Sequence, residues 1–272
     1  MSADVDVVIV SFNTREDLVA CLASLDANRP ARLRQTIVVD NASTDGSVQA
    51  VRSRFRDVEM IALDRNVGFG AANNVALRRP GAPLVLLLNS DTLVPAGAID
   101  RLASRLDATG AVAVGPRLID GRGRPEISFG PMLSPLAELR QKTWQWLAAA
   151  DTDFARRAVA THLGRERQVD WVTGACLLLR RDAAQAAGGF DERYFMYEED
   201  VDLCAALRAQ GGRVLFTPRA EVVHRRGRSI GRAGSPAASH YDRSHLAFYL
   251  KHRPRWAPWL RQWLRLRGRP VN

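Results

Sequence analysis

The stretch YEEDVDLC, residues 197–204, places four carboxylates within five positions: Glu198, Glu199, Asp200 and Asp202. Like charges this close repel one another and raise one another's pKa. Three arrangements would make use of them: a solvated first turn of a helix, a cage for a metal ion, or a general base with a supporting acid. Which of the three arrangements applies depends on the other residues that lie near this stretch in the folded chain.

Polar side chains also follow each of the first four predicted strands. Short apolar runs alternate with helix-like patterns through the first 120 residues, which predicts a parallel sheet with helices on both faces. Ligands of such sheets bind beyond the carboxyl ends of the strands. The residues at the four strand ends are Ser11 and Asn13, Asp40 and Asn41, Arg65 and Asn66, and Asn89 and Asp91. The pattern therefore predicts one site shared by four strands.

Hydropathy and turn signals locate the elements that position these residues. Strands are predicted at 5–12, 35–41, 58–63, 83–91, 111–116, 169–181, 213–218 and 220–227. The acidic stretch opens a helix that ends at the glycines of 211–212. Residues 120–168 are less regular, with a helical stretch through LRQKTWQWLAAA.

The basic residues are concentrated at the C-terminal end of the chain. The formal net charge is +10. Residues 213–272 contain 14 arginines and lysines but only two acids, while the rest of the chain is close to neutral. This distribution excludes a uniformly basic nucleic-acid-binding protein and leaves open a basic tail with a partner of its own.

Three further features predict a cytoplasmic location. No apolar run approaches the roughly 18 residues that span a bilayer. The N-terminal MSADVDVVIV has no basic region, so a secretory signal is not expected. Cys21, Cys176 and Cys204 are far apart and lack metal-ligand spacing, which indicates buried thiols in a reducing compartment.

Six motifs occur in order along the chain: VVIVSFN, IVVDNASTDGS, NVGFGAANN, LLLNSD, WVTGACLLLRR and FMYEEDVDLC. Together they resemble the family 2 glycosyltransferases with a GT-A fold, and among these the rhamnosyltransferase-like branch of bacterial polysaccharide assembly. The resemblance covers about residues 5–226. It implies an α/β, GT-A fold with a mostly parallel, Rossmann-like sheet, and transfer of a sugar with inversion.

The resemblance also implies a division of the chain. Residues 1–230 would form the GT-A domain, with about 1–118 binding the nucleotide sugar and about 119–230 binding the acceptor. Residues 231–272 would form a C-terminal tail rich in tryptophan and arginine.

For the nucleotide, the family resemblance assigns Asp40 to the N3–H of uracil or thymine. An Asx turn at the end of a strand is the alternative for the same residue. Arg65, Asn66 and Gly68 match positions beside the nucleotide. The remaining strand-end residues assigned to the base and ribose are Ser11, Asn13, Asn41 and Asn89.

For the cofactor, Asn89-Ser90-Asp91 looks like the family's DxD element with its first aspartate replaced. The resemblance implies a divalent cation, Mg²⁺ or Mn²⁺, held by Asp91 against the diphosphate. His224 lies 24 residues after Asp200, about where the family places a second ligand. A structural histidine is the alternative, since a lone histidine is more often structural than a ligand.

For the acceptor, Trp171 offers an aromatic face that would pack on a sugar, and Gly174 would let the acceptor approach the backbone. A tryptophan that caps the core is an equal alternative. Asp200 matches the family's general base, and Glu199 is assigned as its supporting acid. Glu198 and Glu199 are also favoured by the dipole at the start of the helix, and Asp202 shares a helix face with both of them.

In the tail, residues 251–270 interleave arginine with tryptophan and leucine. Helical spacing puts Trp256, Trp259/Leu260 and Trp263/Leu264 on one face, which favours contact with an anionic membrane surface. Packing against the domain and binding of nucleic acid are the alternatives, and the second is disfavoured because no nucleic-acid-binding motif accompanies the stretch.

The whole pattern predicts an inverting glycosyltransferase peripheral on the inner face of the plasma membrane. The donor implied by the resemblance is dTDP-L-rhamnose, and the acceptor is a glycan carried on a lipid. The alternatives are a galactofuranosyl- or hexosyltransferase that uses a UDP-sugar, and a homologue that binds a nucleotide sugar or glycan without turnover.

Overall fold

The computed structural model describes residues 4–150, 152–225 and 236–269. Its strands are β1 Val5–Ser11, β2 Leu33–Asp40, β3 Val58–Ala62, β4 Leu84–Asn89, β5 Thr92–Leu93, β6 Ala113–Ile119, β7 Pro125–Glu126, β8 Phe129–Gly130, β9 Arg167–Val169, β10 Trp171–Val172, β11 Cys176–Arg180 and β12 Val214–His224. Its helices are α1 Arg15–Ala27, α2 Ser47–Arg54, α3 Phe69–Leu77, α4 Ala98–Thr109, α5 Pro135–Ala149, α6 Asp153–Leu163, α7 Arg181–Ala186, α8 Glu199–Ala209, α9 Pro236–His252 and α10 Ala257–Leu266.

The strands form a mixed sheet in the order β3-β2-β1-β4-β11-β6-β12-β5. The first four strands of the chain are parallel, as predicted, so their carboxyl ends share one edge. β11 runs antiparallel to both β4 and β6. Its run Cys-Leu-Leu-Leu is apolar on both faces and carries no sign of its direction, which is why the reversal could not be predicted.

Alternate residues of the central strands fill two hydrophobic layers. Val7 and Ile9 of β1 face the layer covered by α1, α2 and α4. Val8 and Val10 face the layer covered by α3, α6, α7 and α8. The period of two and the double coverage make the prediction of helices on both faces correct.

The C-terminal helices belong to a third hydrophobic cluster. Ala257 and Leu264 of α10 are buried together with Leu133, Tyr194 and residues of α9. The packing alternative therefore describes part of the predicted tail. The predicted boundary between residues 230 and 231 lies outside the described residues.

The apolar face predicted for α10 is divided in the structure. Leu260 and Leu264 pack inward, while Trp256, Trp259 and Trp263 are 50%, 73% and 44% exposed. The apolar face of α10 is broad, so its leucine side is buried against the domain while its tryptophan side remains in solvent. No helix among the described residues has the length and apolar character needed to cross a membrane.

A buried ion pair ties the start of the sheet to the end of β11. Asp6 is fully buried, and its Oδ2 accepts hydrogen bonds from Arg181 Nη2 and from the Ala82 backbone N–H, both at 2.8 Å. Arg34 donates to both of its oxygens at 2.7 Å. Removing one partner of such a buried pair leaves charge without compensation.

We therefore expect Arg181→Met to lower the free energy of unfolding by about 3 kcal/mol. Urea unfolding measures the change, provided that the slope with denaturant stays constant. Arg180→Met is the matched control, because Arg180 is half-buried, donates to the Ala111 carbonyl at 3.2 Å, and has its ion-pair contact, with Asp107, at 3.5 Å. Equal losses in the two variants would contradict the role of the buried pair.

Candidate active site

The ends of β1 and β2 are joined by short hydrogen bonds. Ser11 lies opposite Asp40 in the parallel register, and the Asn41 backbone N–H donates to the Ser11 carbonyl at 2.8 Å. The Ser11 hydroxyl is 3.1 Å from that of Thr14, which is 2.9 Å from the Ser90 hydroxyl. A chain of hydroxyls thus links the first strand to the Asn89-Ser90-Asp91 element.

Asp40 is buried and uses only one of its carboxylate oxygens. Oδ1 accepts the Ser43 backbone N–H at 2.8 Å, which is the turn that the sequence left as an alternative. Oδ2 is buried and has no hydrogen-bond partner among the described residues. Since buried polar atoms are rarely left unpaired, the free oxygen is available to an N–H of a ligand.

The loop after β1 is closed against the loop after β2. Asn13 adopts a left-handed backbone, with φ 52°. Its side-chain oxygen accepts the Thr44 backbone N–H at 2.8 Å, and its own backbone N–H donates to the Ser43 hydroxyl at 2.9 Å. Asn13 is therefore brought beside the turn of Asp40.

Asn41, Asn66 and Gly68 form one hydrogen-bonded group. The Asn41 amide donates to Asn66 Oδ1 at 2.8 Å and to the Gly68 carbonyl at 3.1 Å. At Gly68, with φ 90°, a Cβ would lie 2.4 Å from the carbonyl oxygen of Phe195. Glycine is thus required where this loop meets the segment leading to the acidic motif. Arg65 has an exposed side chain, and the structure does not bring it into this group.

Asp91 and His224 are brought together at the end of β4. Asp91 Oδ1 lies 3.3 Å from His224 Nε2, and Asn89 Nδ2 lies 3.5 Å from the same nitrogen. On the other side of the ring, His224 Nδ1 is 3.1 Å from Glu126 Oε2. Burial lowers the pKa of His224, but hydrogen bonds to the two carboxylates outweigh it and raise the pKa to about 9.

Asp200 is held from two sides at the start of α8. Its Oδ2 accepts the Gly174 backbone N–H at 2.7 Å, and its Oδ1 accepts the Val201 N–H at 2.8 Å. The next residue, Ala175, accepts a hydrogen bond from the Asn89 backbone N–H at 3.0 Å. Asp200 therefore belongs to the same site as Asn89, Asp91 and His224.

Burial raises the pKa of the Asp200 carboxyl, and the two backbone hydrogen bonds oppose it. The sequence attributed such a rise to neighbouring acids, so the principal cause differs. At Gly174, a Cβ would lie 3.2 Å from the Phe69 ring and 3.4 Å from Asp200 Cβ, so the absence of a side chain keeps this close packing free of strain. The approach of an acceptor to the Gly174 backbone stays a prediction.

Glu199 is almost completely buried behind Asp200. Its Oε2 has no hydrogen-bond partner among the described residues. Burial and, next to it, the charge of Asp200 raise the pKa of Glu199 well above its ordinary value. The buried Glu199 carboxyl thus lies beside Asp200 in surroundings that favour its protonated form.

Glu198 is paired with a histidine from the C-terminal helix. Glu198 Oε1 lies 2.9 Å from His245 Nδ1, and His245 Nε2 lies 3.4 Å from Glu138 Oε2 on α5. Tyr197 and Glu198 both have positive φ, 71° and 66°, which is costly for residues with side chains. The ion pair with His245 therefore holds the strained turn directly before Asp200.

Asp202, like Glu198, is paired with basic side chains of α9. Lys251 Nζ lies 2.8 Å from Asp202 Oδ1, His252 Nε2 donates to the same oxygen at 2.6 Å, and the Tyr194 hydroxyl does so at 3.3 Å. Glu198 and Asp202 therefore bind α9 and are not solvated helix-start acids. Among the described residues, no group of three or more His, Cys, Asp and Glu side chains is placed to hold a metal, so the cage alternative for YEEDVDLC is wrong.

Trp171 lies within the half of the chain that is predicted to bind the acceptor, about residues 119–230. Its indole N–H donates to the Pro131 carbonyl at 2.8 Å, and its strand β10 pairs with β8. The half-buried ring packs against both of the clusters that contain α8 and α10. Its role as a sugar platform stays a prediction.

The comparisons with known proteins agree with this geometry. The model of the family described as "Glycosyltransferase like family 2" matches residues 3–258. The chain belongs to this family. It is 34% identical over 286 residues to the N-acetylglucosaminyl-diphospho-decaprenol L-rhamnosyltransferase of Mycobacterium tuberculosis, with 96% of this chain and 89% of that protein covered. This chain is a glycosyltransferase.

Two solved structures show that this glycosyltransferase has the GT-A fold. The mannosyltransferase PcManGT from Pyrobaculum calidifontis, in complex with GDP-Man and Mn²⁺, aligns with a TM-score of 0.62 at 18% identity, covering 94% of this chain and 68% of that one. GalNAc-T7 with UDP, GalNAc and Mn²⁺ aligns with a TM-score of 0.64 at 15% identity, covering 89% of this chain and 47% of that one. The predicted fold and family are confirmed.

Two residues of the glycosyltransferase site were missed in the sequence. Glu126 lies in a stretch without periodicity, and only the pairing of β7 with β6 brings it to His224. His245 lies in the predicted tail, and only the docking of α9 brings it to Glu198. Neither residue has a local motif that could have revealed it.

We expect the stability of this protein to depend on pH through His245. Burial lowers the pKa of His245, but hydrogen bonds to Glu138 and Glu198 outweigh it and raise the pKa to about 9. Because the folded-state pKa is above the unfolded one, the stabilisation is complete below pH 6.5 and is lost as pH rises to 9. Thermal unfolding of wild type and His245→Gln should differ by about 3 kcal/mol below pH 6.5, and less at pH 9.

His162→Gln is the matched control for this measurement. Burial lowers the pKa of His162 to about 4, so above pH 7 this histidine is neutral in both the folded and the unfolded state. Its substitution should therefore cost the same stability at pH 7 and at pH 9, whereas the loss in His245→Gln should shrink between these two values. A difference between wild type and His245→Gln that is independent of pH would contradict the charged pair.

Proposed function

We propose that this glycosyltransferase moves an L-rhamnosyl group from dTDP-L-rhamnose to a hydroxyl of a sugar carried on a polyprenyl diphosphate, during synthesis of a cell-surface polysaccharide. The observation that carries the proposal is the identity of 34% over 96% of the chain with a protein named for that reaction. The conjunction of Asp200, Asn89, Asp91 and His224 at one edge of the sheet supports it.

Asp200 acts as the general base in a single in-line displacement. The acceptor hydroxyl gives its proton to the Asp200 carboxylate while its oxygen bonds to the anomeric carbon of the donor. The bond from that carbon to the diphosphate breaks on the opposite side, which inverts the configuration. The Gly174 N–H orients the base, and burial raises its pKa toward the range that suits proton transfer.

Asp40 recognises the base of the donor nucleotide. Its free oxygen, Oδ2, accepts the N3–H of thymine, while Oδ1 stays in the turn with Ser43. Uracil presents the same N3–H, so this contact admits the alternative of a UDP-hexose or UDP-galactofuranose. Ser11, Asn13 and Asn41 lie around the same strand ends and border the base and ribose.

Asp91 and His224 fit a divalent cation. A buried carboxylate oxygen and an imidazole nitrogen 3.3 Å apart match the donor set of Mn²⁺ or Mg²⁺, and a diphosphate would supply further oxygens. Glu126 would hold the ring of His224 by its other nitrogen, in the orientation needed for ligation. When bound, the cation would stabilise the charge of the departing diphosphate.

The exposed side of α10 binds an anionic membrane surface, which places this glycosyltransferase at the inner face of the plasma membrane. Trp256, Trp259 and Trp263 are exposed in a row, and the Arg267 guanidinium lies 4.1 Å from the Trp263 ring. Tryptophan at the headgroup level and arginine beside anionic lipid are favourable together. A lipid-linked acceptor gives such a contact its purpose.

A donor screen tests the proposed reaction. Wild type is given dTDP-L-rhamnose, UDP-galactofuranose or a UDP-hexose, with N-acetylglucosaminyl-diphospho-prenol as acceptor and Mn²⁺ or Mg²⁺ present. We expect product with dTDP-L-rhamnose, and a rate reduced by a hundredfold or more in Asp200→Asn, because the general base is lost.

Asp26→Asn is the control for loss of a carboxylate, since Asp26 is exposed on α1. Binding of dTDP, followed as a rise in melting temperature, should be retained in Asp200→Asn. If product forms only with a UDP-sugar, the donor is that UDP-sugar and not dTDP-L-rhamnose. A nearly unchanged rate in Asp200→Asn would remove this residue from the mechanism.

Sedimentation with vesicles of phosphatidylglycerol tests the membrane contact. We expect the double substitution Trp259→Ser and Trp263→Ser to weaken binding several-fold, because two exposed aromatic rings are lost from the contact. Trp146→Ser is the matched control, since Trp146 is 69% exposed on α5. Equal binding by wild type and the double variant would contradict the assignment to α10.

A further inference from the structure

A polar groove lies beside the metal-binding pair and outside the nucleotide site. It has a volume of about 1100 Å³ and runs between the β6–β7 hairpin, the end of β12 and the C-terminal half of α5. Three arginines line it, together with Glu126 and Gln145: Arg122, Arg124 and Arg225. All three arginine side chains are exposed to the groove or to solvent.

Two of these arginines have no ion-pair partner among the described residues. Arg124 is paired with Asp120 at 2.7 Å, and Glu126 is engaged by His224. Neither the Arg122 nor the Arg225 guanidinium forms an ion pair with another described residue. The acids of the groove are thus neutralised, and two positive charges remain available to a ligand.

The position of Arg225 is fixed from both sides. Its backbone N–H donates to the Asp91 carbonyl at 2.8 Å, and its Cγ lies 3.9 Å from the position of a Cβ on Gly121 in the β6–β7 hairpin. On the hairpin, the Arg122 N–H donates to Asp120 Oδ1 at 2.8 Å. Both arginines are therefore anchored by backbone hydrogen bonds, and the Arg225 side chain lies close to the hairpin that carries Arg122.

We propose that this groove binds the diphosphate of the lipid-linked acceptor, through Arg122 and Arg225. Guanidinium groups match the oxygens of phosphate in geometry as well as charge. The inference rests on the proposed function, because it assigns a site to one part of the acceptor named there. It adds the contact that distinguishes a diphosphate-linked sugar from the same sugar on a neutral carrier.

The geometry favours the diphosphate of the acceptor over that of the donor. His224 separates the two regions: its Nε2 faces Asp91 and Asn89 on the donor side, and its Nδ1 faces Glu126, which lines the groove. α5, which forms the other wall, also bonds β8 beside the predicted acceptor residue Trp171, through Gln141 Nε2 and the Phe129 carbonyl at 3.1 Å.

Kinetics with paired acceptors test the assignment. Wild type, Arg122→Gln, Arg225→Gln and the double variant are compared on N-acetylglucosaminyl-diphospho-prenol of short chain length and on a neutral alkyl N-acetylglucosaminide. We expect the KM for the diphosphate acceptor to rise about tenfold for each substitution. The KM for the neutral acceptor and for the donor should stay unchanged. Arg52→Gln, an exposed arginine on α2, is the matched control.

Binding without turnover separates this inference from the proposed reaction. Titration calorimetry with the short-chain diphosphate acceptor, in EDTA and without donor, should show weaker binding in each groove variant even if the transferred sugar is not rhamnose. Equal affinity of wild type and the double variant would overturn the inference. A rise in the donor KM would overturn it too, because the arginines would then serve the donor diphosphate. So would a loss of vesicle binding with no change in acceptor affinity.

Discussion

The ion pair between Glu198 and His245 supports the turn that leads into the acidic motif. Tyr197 and Glu198 are both left-handed, and each such residue costs of the order of 1 kcal/mol or more without compensation. His245 bonds Glu198 at 2.9 Å, and Ser244 donates to the Met196 carbonyl at 2.7 Å. The helix that follows the GT-A sheet thus determines the backbone from which Asp200 projects.

This support explains why the four adjacent acids can coexist. Glu198 and Asp202 are each paired with basic side chains of α9, and burial raises the pKa of Glu199. The remaining acid, Asp200, has its carboxylate oriented by the Gly174 N–H. The repulsion among the four carboxylates is therefore relieved by the docking of α9, a helix that is distant in sequence. It does not raise the basicity of all four acids alike.

The sequence predicted the parts of this structure that follow from local pattern. Continuous apolar runs located β1, β2 and β4, and the convergence of parallel strands then put Asp40, Asn89 and Asp91 at one edge. Contacts that depend on distant pairing could not be predicted in this way. The direction of β11, the approach of Glu126 to His224 and the docking of α9 all depend on three-dimensional packing that no short motif encodes.

The same docking connects the exposed face of α10 to the turn that precedes Asp200. α9 ends at His252, beside Asp202, and α10 begins five residues later with its inner edge buried against Leu133. Arg253 donates to the Leu133 carbonyl at 2.9 Å, just before α5, which forms a wall of the arginine groove. Under the proposed membrane contact, a lipid surface that binds α10 would contact a helix that is linked to both α5 and α9. Because α9 in turn holds Glu198 and Asp202, one set of helices positions both the proposed acceptor groove and the proposed base.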